Sequence, residues 1–465
     1  MNVLDSSQKH TRIGMLIRKF LTKKNTPVII ALLAMILASP SMTSGLLFDD
    51  YYHKFLVTNK TIFKETNDAS LFELFSFMNG NIERNTQIMD MGMLPWWTMK
   101  TLKVSFWRPL AEVTHWIDYK ILTEFPALMH LQSIMWFGAL ILILGLFYRR
   151  TMGMVWAAGL AILLYAIDDA RSFPVTWLSA RNSIMATFFG VLTLLNHDKW
   201  RKSCEIKYGI MGTVTMLLGL LSGEAALATT LYLFSYALFL DENSTIKQKI
   251  ISLLPYATIT LIWLITYNKL GFGTYGSGLY FDPAKEPLVY FQKVLQHFPV
   301  LFLAQFGTPP AYTYYTFSAA GMKLVTFGGY VFFAILAVLF FPVIRKNKIA
   351  RFFALGMMLS FALISATLPS ERNLFFVAIG GMGLLSIFLT SWFDKIIGVN
   401  YNKLLRFFVK SIVVFFVIIH FIATIPLFIV STIPHKIFNL EISLKESMVI
   451  PKYKDHRVTL VKVPV

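Results

Sequence analysis

The chain has 465 residues, of which 56% are hydrophobic and only 15% charged, and its mean hydropathy is +0.59. A soluble domain carries about a quarter charged residues, so this composition excludes an ordinary globular protein. The formal net charge of +18 does not indicate nucleic-acid binding, because the lysines and arginines lie in short clusters between apolar runs, as the positive-inside rule requires. The single cysteine, Cys204, excludes an internal disulfide framework and a multi-cysteine zinc site.

Apolar runs of about 20 residues predict an all-α polytopic membrane protein with about eleven spans. A basic arm, 1–26, is placed in the cytoplasm, and the first apolar run is interpreted as a retained anchor rather than a cleavable signal. Spans are predicted at about 27–48, 129–148, 152–167, 182–197, 207–222, 225–240, 250–269, 322–344, 352–368, 374–393 and 408–431. Every strongly basic loop then falls on the cytoplasmic side, and the short tail, 433–465, lies outside.

Two stretches between spans are too long and polar to be simple connections. We call residues 49–128 the first long segment and residues 270–321 the second long segment, and expect both outside the cytoplasm. They are rich in aromatic residues, which is typical of helices lying in the membrane interface. Residues 27–269 thus form a transmembrane core that carries the first long segment, and 322–432 form the carboxyl-terminal spans.

With this orientation, ionisable groups from several separate segments collect at the outer face. Taken singly, each is more simply a solvated loop charge; together they suggest a site. A carboxylate at this rim can act as a general base towards a hydroxyl, and arginines can hold a phosphate through paired donors. The candidate residues are Asp49, Asp50, His53, Arg108, Asp168, Asp169, Arg171, Arg181, Glu224, Glu371 and Arg372.

An ordered series of motifs adds a resemblance. The motifs are "FDDYYH", "WRPLAEVTHWIDYKI", "MHLQSIMW", "VTWLSARNSIMATFFGVLTLL", "LSGEAALATTLYLFSYALF" and "PSERNLFFVAIGG", spread over about 30–395. With them the chain resembles the GT-C-fold glycosyltransferases that use polyprenyl-phosphate sugars. It is most similar to the protein O-mannosyltransferases and to the transmembrane-and-tetratricopeptide-repeat O-mannosyltransferases, although no such repeats follow the spans here.

The resemblance implies a GT-C-like bundle and an inverting transfer outside the cytoplasm, in the bacterial inner membrane or the endoplasmic reticulum membrane. It implies an aspartate of the first long segment as general base, Asp49 or Asp50, with a slight preference for Asp50. By motif position it assigns donor or substrate binding to Arg108, His130, Arg181, Glu224, Glu371 and Arg372, and His53 and Arg171 lie at the same face. The chain departs from the family pattern at Gly223, where relatives have lysine, at Ser133, where they have asparagine, and in "DDARSFPVTW".

The expected partners are a polyprenyl-phosphate-linked sugar, membrane lipid and an acceptor protein, lipid or glycan. No cofactor is expected, because arginines can neutralise the phosphate. The alternative is Mg²⁺ or Mn²⁺ held by Asp49 or Asp50 with Asp168 or Asp169, as in the oligosaccharyltransferase relatives.

Two other functions stay open, an O-antigen ligase or polymerase-like glycan transferase and a lipid or solute transporter. The first is expected to carry its arginines in a late outer loop, yet 270–321 has none. The second is expected to place charges at mid-span.

Overall fold

The structure is a computed structural model that describes residues 14–58, 72–90, 94–394 and 403–433. The first half of the predicted basic arm and nearly all of the predicted tail, 433–465, lie outside the described residues. Within them residues 14–22 are helical. The further helices are α1 (Thr26–Ala38), α2 (Asp49–Thr58), α3 (Ile82–Asp90), α4 (Pro109–Ile121), α5 (Pro126–Met152), α6 (Trp156–Ile167), α7 (Ser172–Thr176), α8 (Arg181–Ser203), α9 (Ile206–Ser222), α10 (Ala228–Phe239), α11 (Ile246–Lys269), α12 (Pro287–Phe306), α13 (Ala319–Lys346), α14 (Lys348–Ile364), α15 (Phe375–Phe393), α16 (Lys403–Val417) and α17 (Thr424–Ser431).

Short 3₁₀ turns connect several of these helices, and a π-helical turn, Ile418–Ala423, joins α16 to α17. The 3₁₀ turns are Ser39–Thr43, Asp169–Arg171, Leu178–Ala180, Glu224–Leu227, Ala311–Thr316 and Glu371–Asn373. Three of them carry residues that the sequence analysis proposed for the site. Tight turns at helix ends can thus bring side chains from distant parts of the chain towards one region.

Seven helical stretches in the described part of the chain are long and apolar enough to cross a membrane, so the chain is a polytopic helical membrane protein. They are Thr26–Thr43, Pro126–Met152, Leu178–Ser203, Ile246–Lys269, Ala319–Lys346, Phe375–Phe393 and Arg406–Ser431. The other four predicted spans coincide with shorter helices, α6, α9, α10 and α14. The count of eleven spans and their orientation stay predictions.

Helix α15 lies at the centre of the bundle. Its apolar window is 89% buried, and tyrosines from three other helices donate hydrogen bonds to carbonyls in its first two turns. Tyr148 of α5 donates to Ile379 at 2.7 Å, Tyr165 of α6 to Phe375 at 3.0 Å and Tyr232 of α10 to Phe376 at 2.8 Å. Each buried hydroxyl is thereby satisfied, which removes the cost of burying it in an apolar core.

A small antiparallel sheet corrects the expectation of a wholly helical chain. Strands β1 (Ser76–Asn79) and β2 (Lys103–Ser105) come from the first long segment and β3 (Gly273–Tyr275) from the second, in the order β1-β2-β3. Val104 pairs with Thr274. The two long segments therefore lie on the same side of the bundle and form one layer over its end.

Helix α12 of the second long segment packs along a span rather than along the membrane surface. The carbonyl of Pro299 lies against Gly329, where an added Cβ would be only 2.5 Å away. Further along both helices, the rings of Phe302 and Phe333 are 5.1 Å apart and those of Phe306 and Phe340 6.0 Å apart. Because residue numbers rise together on α12 and α13, the two helices run in the same direction. The prediction of an interfacial helix does not hold for α12.

Candidate active site

One cavity of ≈ 250 Å³ opens where the two long segments meet the helix ends. Four charged residues from four separate segments line it, Asp49, Arg108, Glu224 and Arg372. Aromatic rings complete much of the wall, from Phe75, Phe77, Phe106, Trp177 and Tyr280. The cavity thus combines charge with flat apolar surfaces.

Asp49 begins α2 and is half-buried at the cavity wall. The preceding residue, Phe48, has a φ of 42°, a strained conformation that turns the chain into the helix. No described residue donates a hydrogen bond to the Asp49 carboxylate. Burial raises its pKa, and the charges of Arg372 and Arg108 oppose the rise. A carboxylate of this kind is suited to accept a proton.

Arg108 is held rigidly at the amino end of α4. Its Nε donates to Glu224 Oε2 at 2.8 Å, and its guanidinium lies over the rings of Phe75 and Phe106, 4.8 and 4.3 Å from their centroids. Within the described residues, no acceptor engages its two Nη groups. Its free edge can therefore offer two parallel donors to an anion in the cavity.

Arg372 also lines the cavity. Its guanidinium lies 5.3 Å from the ring centroid of Trp177, and Nη2 donates to the hydroxyl of Tyr280 at 3.1 Å. No carboxylate in the described part of the chain forms an ion pair with it. The positive charge of Arg372 is therefore available to a bound anion.

Asp50, the slightly preferred base, lies behind the cavity wall and is fully buried. Its Oδ1 accepts hydrogen bonds from the backbone and hydroxyl of Ser179, at 2.8 and 2.6 Å, and Oδ2 accepts from Leu47 at 2.9 Å. Burial raises its pKa to about 7, although these hydrogen bonds act to lower it. Because both oxygens are engaged, Asp50 is less available than Asp49 to a molecule in the cavity.

The two histidines also lie outside the cavity lining. His53 is buried beside Ser179 Oγ, 3.2 Å from Nδ1, and its ring centroid is 5.3 Å from that of His115. Burial lowers its pKa well below the usual value, and the charges of His115 and Arg108 lower it further. His130 donates from Nε2 to the carbonyl of Gly45 at 2.7 Å. His130 therefore supports the backbone before Asp49, and His53 contacts the hydroxyl that engages Asp50.

Arg181 is a buried connector between helices. Its Nη1 donates to Asp118 at 2.7 Å, Nε to Ser133 at 2.9 Å and Nη2 to the carbonyl of Met129 at 2.9 Å. These contacts join α8 to α4 and α5. Arg181 does not line the cavity.

A second charged cluster contains the remaining candidates. Asp168 pairs with Arg171 at 3.2 Å, and Asp169 Oδ1 accepts from Thr424 of α17 at 3.1 Å. Glu371 accepts a short hydrogen bond from the backbone of Ala311. Burial raises the pKa of Asp169 to about 6 and that of Glu371 to about 7. None of the four candidates lines the cavity.

The predicted metal ligands differ in their surroundings. Asp49 faces the cavity, Asp50 is engaged behind it, and Asp168 and Asp169 belong to the second cluster. Within residues 14–58, 72–90, 94–394 and 403–433, no group of three or more His, Cys, Asp or Glu side chains could hold a metal ion. The Mg²⁺ or Mn²⁺ alternative, with one carboxylate from each pair, stays a prediction.

The structure adds residues that the sequence analysis did not single out. Trp177 and Tyr280 support Arg372, and Ser179 engages Asp50. Trp177 and Ser179 lie in the motif "VTWLSARN", so its position in the chain was a usable signal. Tyr280 follows a glycine-rich stretch, and nothing in the sequence marked it.

Comparisons with known proteins identify little. No protein-family model matches the chain, and no curated protein matches it. Among solved structures, it is similar to an Archaeoglobus fulgidus oligosaccharyltransferase tethered by a disulfide bond to an acceptor peptide containing the NVT sequon. The identity is 13% and the TM-score 0.46, over 88% of this chain and 55% of that one. The chain thus spans about half the length of that protein.

Proposed function

We propose that the chain is a GT-C-type membrane glycosyltransferase that moves a sugar from a polyprenyl-phosphate donor to an acceptor hydroxyl. One observation supports this most directly: Asp49, to which no residue in the described part of the chain donates a hydrogen bond, shares a cavity with two aromatic-stacked arginines, Arg108 and Arg372. The arrangement offers a proton acceptor and anion-binding groups within one partly enclosed space. Its aromatic walls offer flat surfaces for a sugar ring.

In the proposed reaction, the acceptor hydroxyl gives its proton to the Asp49 carboxylate while its oxygen forms a bond to the anomeric carbon. The bond from that carbon to the phosphate oxygen breaks, and both electrons leave with the polyprenyl phosphate. Arg108 and Arg372 stabilise the charge that develops on the departing phosphate. Attack from the face opposite the phosphate inverts the anomeric centre.

The aromatic contacts and the ion pair to Glu224 set Arg108 in place before the donor binds. Fixed donors need no reorganisation during the reaction, which is the main advantage of such a site. The two arginines supply the positive charge, so the proposal uses no metal. Mannose is the first donor sugar to test, and a protein, lipid or glycan is the acceptor. The site is proposed to face away from the cytoplasm.

The test is sugar transfer in membranes supplied with radiolabelled polyprenyl-phosphate mannose and other polyprenyl-phosphate sugars. We expect Asp49→Asn to reduce transfer by about 10²- to 10⁴-fold, the usual contribution of a general base. Asp90→Asn, an exposed acid on α3, is the matched control and should transfer normally. Rates are compared per folded protein, measured by size-exclusion chromatography.

Three outcomes would contradict the proposal. Equal transfer by wild type and Asp49→Asn would remove Asp49 as the base. Transfer only from diphosphate-linked glycans would favour the ligase-like alternative. Substrate movement across vesicles without any transfer would favour a transporter.

A further inference from the structure

Two tryptophans outside the cavity stand out by their exposure. Trp96 and Trp97 are 81% and 63% exposed, and their rings meet edge to face with centroids 5.5 Å apart. We call residues 94–102 the tryptophan tip. It lies between α3 and β2, and none of its residues lines the cavity. A protein seldom presents two adjacent indoles without a partner for them.

The tryptophan tip is held by specific hydrogen bonds. The buried side chain of Asn85 donates through Nδ2 to the carbonyls of Lys100 and Leu102, each at 2.8 Å. The backbone makes two turns, from Thr98 to Pro95 at 3.0 Å and from Leu102 to Met99 at 2.9 Å. The fold therefore presents both indoles from a fixed support.

The tip is tied to the end of a membrane span. The Met99 side chain lies over Gly276, where an added Cβ would be 1.8 Å from Cε. Gly276 follows β3, and the span α11 ends at Lys269. From Leu270 to Gly276 the chain can extend at most roughly 20 Å. This tether keeps the tip near the level at which α11 leaves the hydrocarbon.

Two lysines lie in the tip and directly after it. Lys100 is exposed within it, and Lys103 follows at the start of β2. Burial lowers the pKa of Lys103, and the nearby charge of Lys285 lowers it further. Lysines next to exposed indoles suit the layer of lipid headgroups, where the rings contact acyl chains and the ammonium groups meet phosphates.

We propose that the tryptophan tip inserts both indoles into the headgroup layer of the bilayer, with a preference for anionic lipid. A sugar-stacking role fits less well, because five other aromatic residues already line the cavity and the tip does not. The tip also has a mechanical consequence. Arg108 lies three residues beyond β2, so a tip held in the headgroups fixes the height of Arg108 relative to lipid phosphates.

The test is fluorescence quenching of the full chain in vesicles of phosphatidylcholine and phosphatidylglycerol. One quencher is phosphatidylcholine brominated on its acyl chains, and the other is aqueous iodide. The chain has 10 tryptophans, so Trp96→Phe/Trp97→Phe removes two of ten emitters. We expect this variant to lose more than a proportional share of the lipid quenching and little of the iodide quenching. Trp177→Phe, which alters an indole of the cavity, is the spectroscopic control and should leave the lipid quenching unchanged.

The opposite pattern would overturn the proposal. If the double variant kept the full lipid quenching and lost iodide quenching, the tip would face water and would be available to a soluble acceptor or protein. Omitting phosphatidylglycerol should reduce lipid quenching of the wild type, and no reduction would overturn the preference for anionic lipid. Neither measurement depends on sugar transfer, so the result stands apart from the proposed function.

Discussion

Arg181 offers a sharp test, because the motif resemblance assigned it to donor binding and the structure buries it among helices. We consider Arg181→Met, which keeps the length of the side chain and removes the charge and every donor. Asp118 would then be a buried, unpaired carboxylate, since its other close neighbour is His115, 3.7 Å away. Ser133 and the carbonyl of Met129 would each lose a donor.

The expected loss of stability follows from these contacts. Breaking a buried ion pair by removing one partner costs about 3–5 kcal/mol, and each orphaned neutral group adds about 1 kcal/mol. We therefore expect Arg181→Met to lower the free energy of unfolding by roughly 5–7 kcal/mol. In Arg181→Met/Asp118→Leu no charge is left unpaired. That double variant should recover about 3 kcal/mol, because apolar replacement of a whole buried pair is close to neutral.

The assay is denaturant titration in detergent micelles, followed by tryptophan fluorescence, for the wild type and both variants. Donor affinity is measured separately on the fraction that remains folded. The reasoning is refuted if Arg181→Met unfolds at the same denaturant concentration as wild type but no longer binds the donor. In that case Arg181 would contact the phosphate, as the resemblance implied.

Three further predictions concern the cavity and its surroundings. Arg108→Lys keeps the charge but loses the paired donors, so the KM for the donor should rise by roughly 10-fold or more, in line with the 1.5–3 kcal/mol of a charged hydrogen bond; an unchanged KM would contradict phosphate binding there. Tyr280→Phe removes only the hydroxyl that accepts from Arg372. It should weaken donor binding a few-fold at unchanged thermal stability, and calorimetry with a polyprenyl phosphate would show this. Burial raises the pKa of Glu112 from 4.5 to about 8. The folded state therefore holds a proton that the unfolded state releases between these values, and this contribution to stability is lost as the pH rises towards 8. In Glu112→Gln, the unfolding temperature should therefore decrease less between pH 5 and pH 8 than in the wild type. An equal decrease in both proteins would exclude Glu112 as the cause of this pH dependence.

The sequence was most informative about helices and about which charges share a face. Helices occur at every predicted span, because runs of apolar residues need little tertiary context to be recognised. Asp49, Arg108, Glu224 and Arg372 all line one cavity, as expected of charges that follow or precede spans on the same side. The direction of each side chain could not be predicted from the sequence. Adjacent residues on a helix point about 100° apart, so which of two neighbours faces the cavity depends on the exact orientation of the helix.

Asp49 and Asp50 illustrate that limit. Both follow the same apolar run, and only the turn at Phe48 and the position of Ser179 decide which one faces the cavity. The sheet was missed because its strands have three or four residues, too few for an alternating pattern to be recognised. Helix α12 was assigned to the surface because its glutamine, lysine and histidine reduce its hydropathy. In the structure its phenylalanines pack among those of α13.

The pairing of Val104 with Thr274 has a consequence for biogenesis. The ribosome must add 170 residues after the first partner before the second exists, and α11 must be threaded into the bilayer in that interval. In a nascent chain shorter than about 275 residues, one edge of β2 has no hydrogen-bonding partner. Unpaired strand edges of this kind can pair wrongly with other chains. Completion of the cavity is thereby a late step of synthesis, reached only after most of the helices have been inserted.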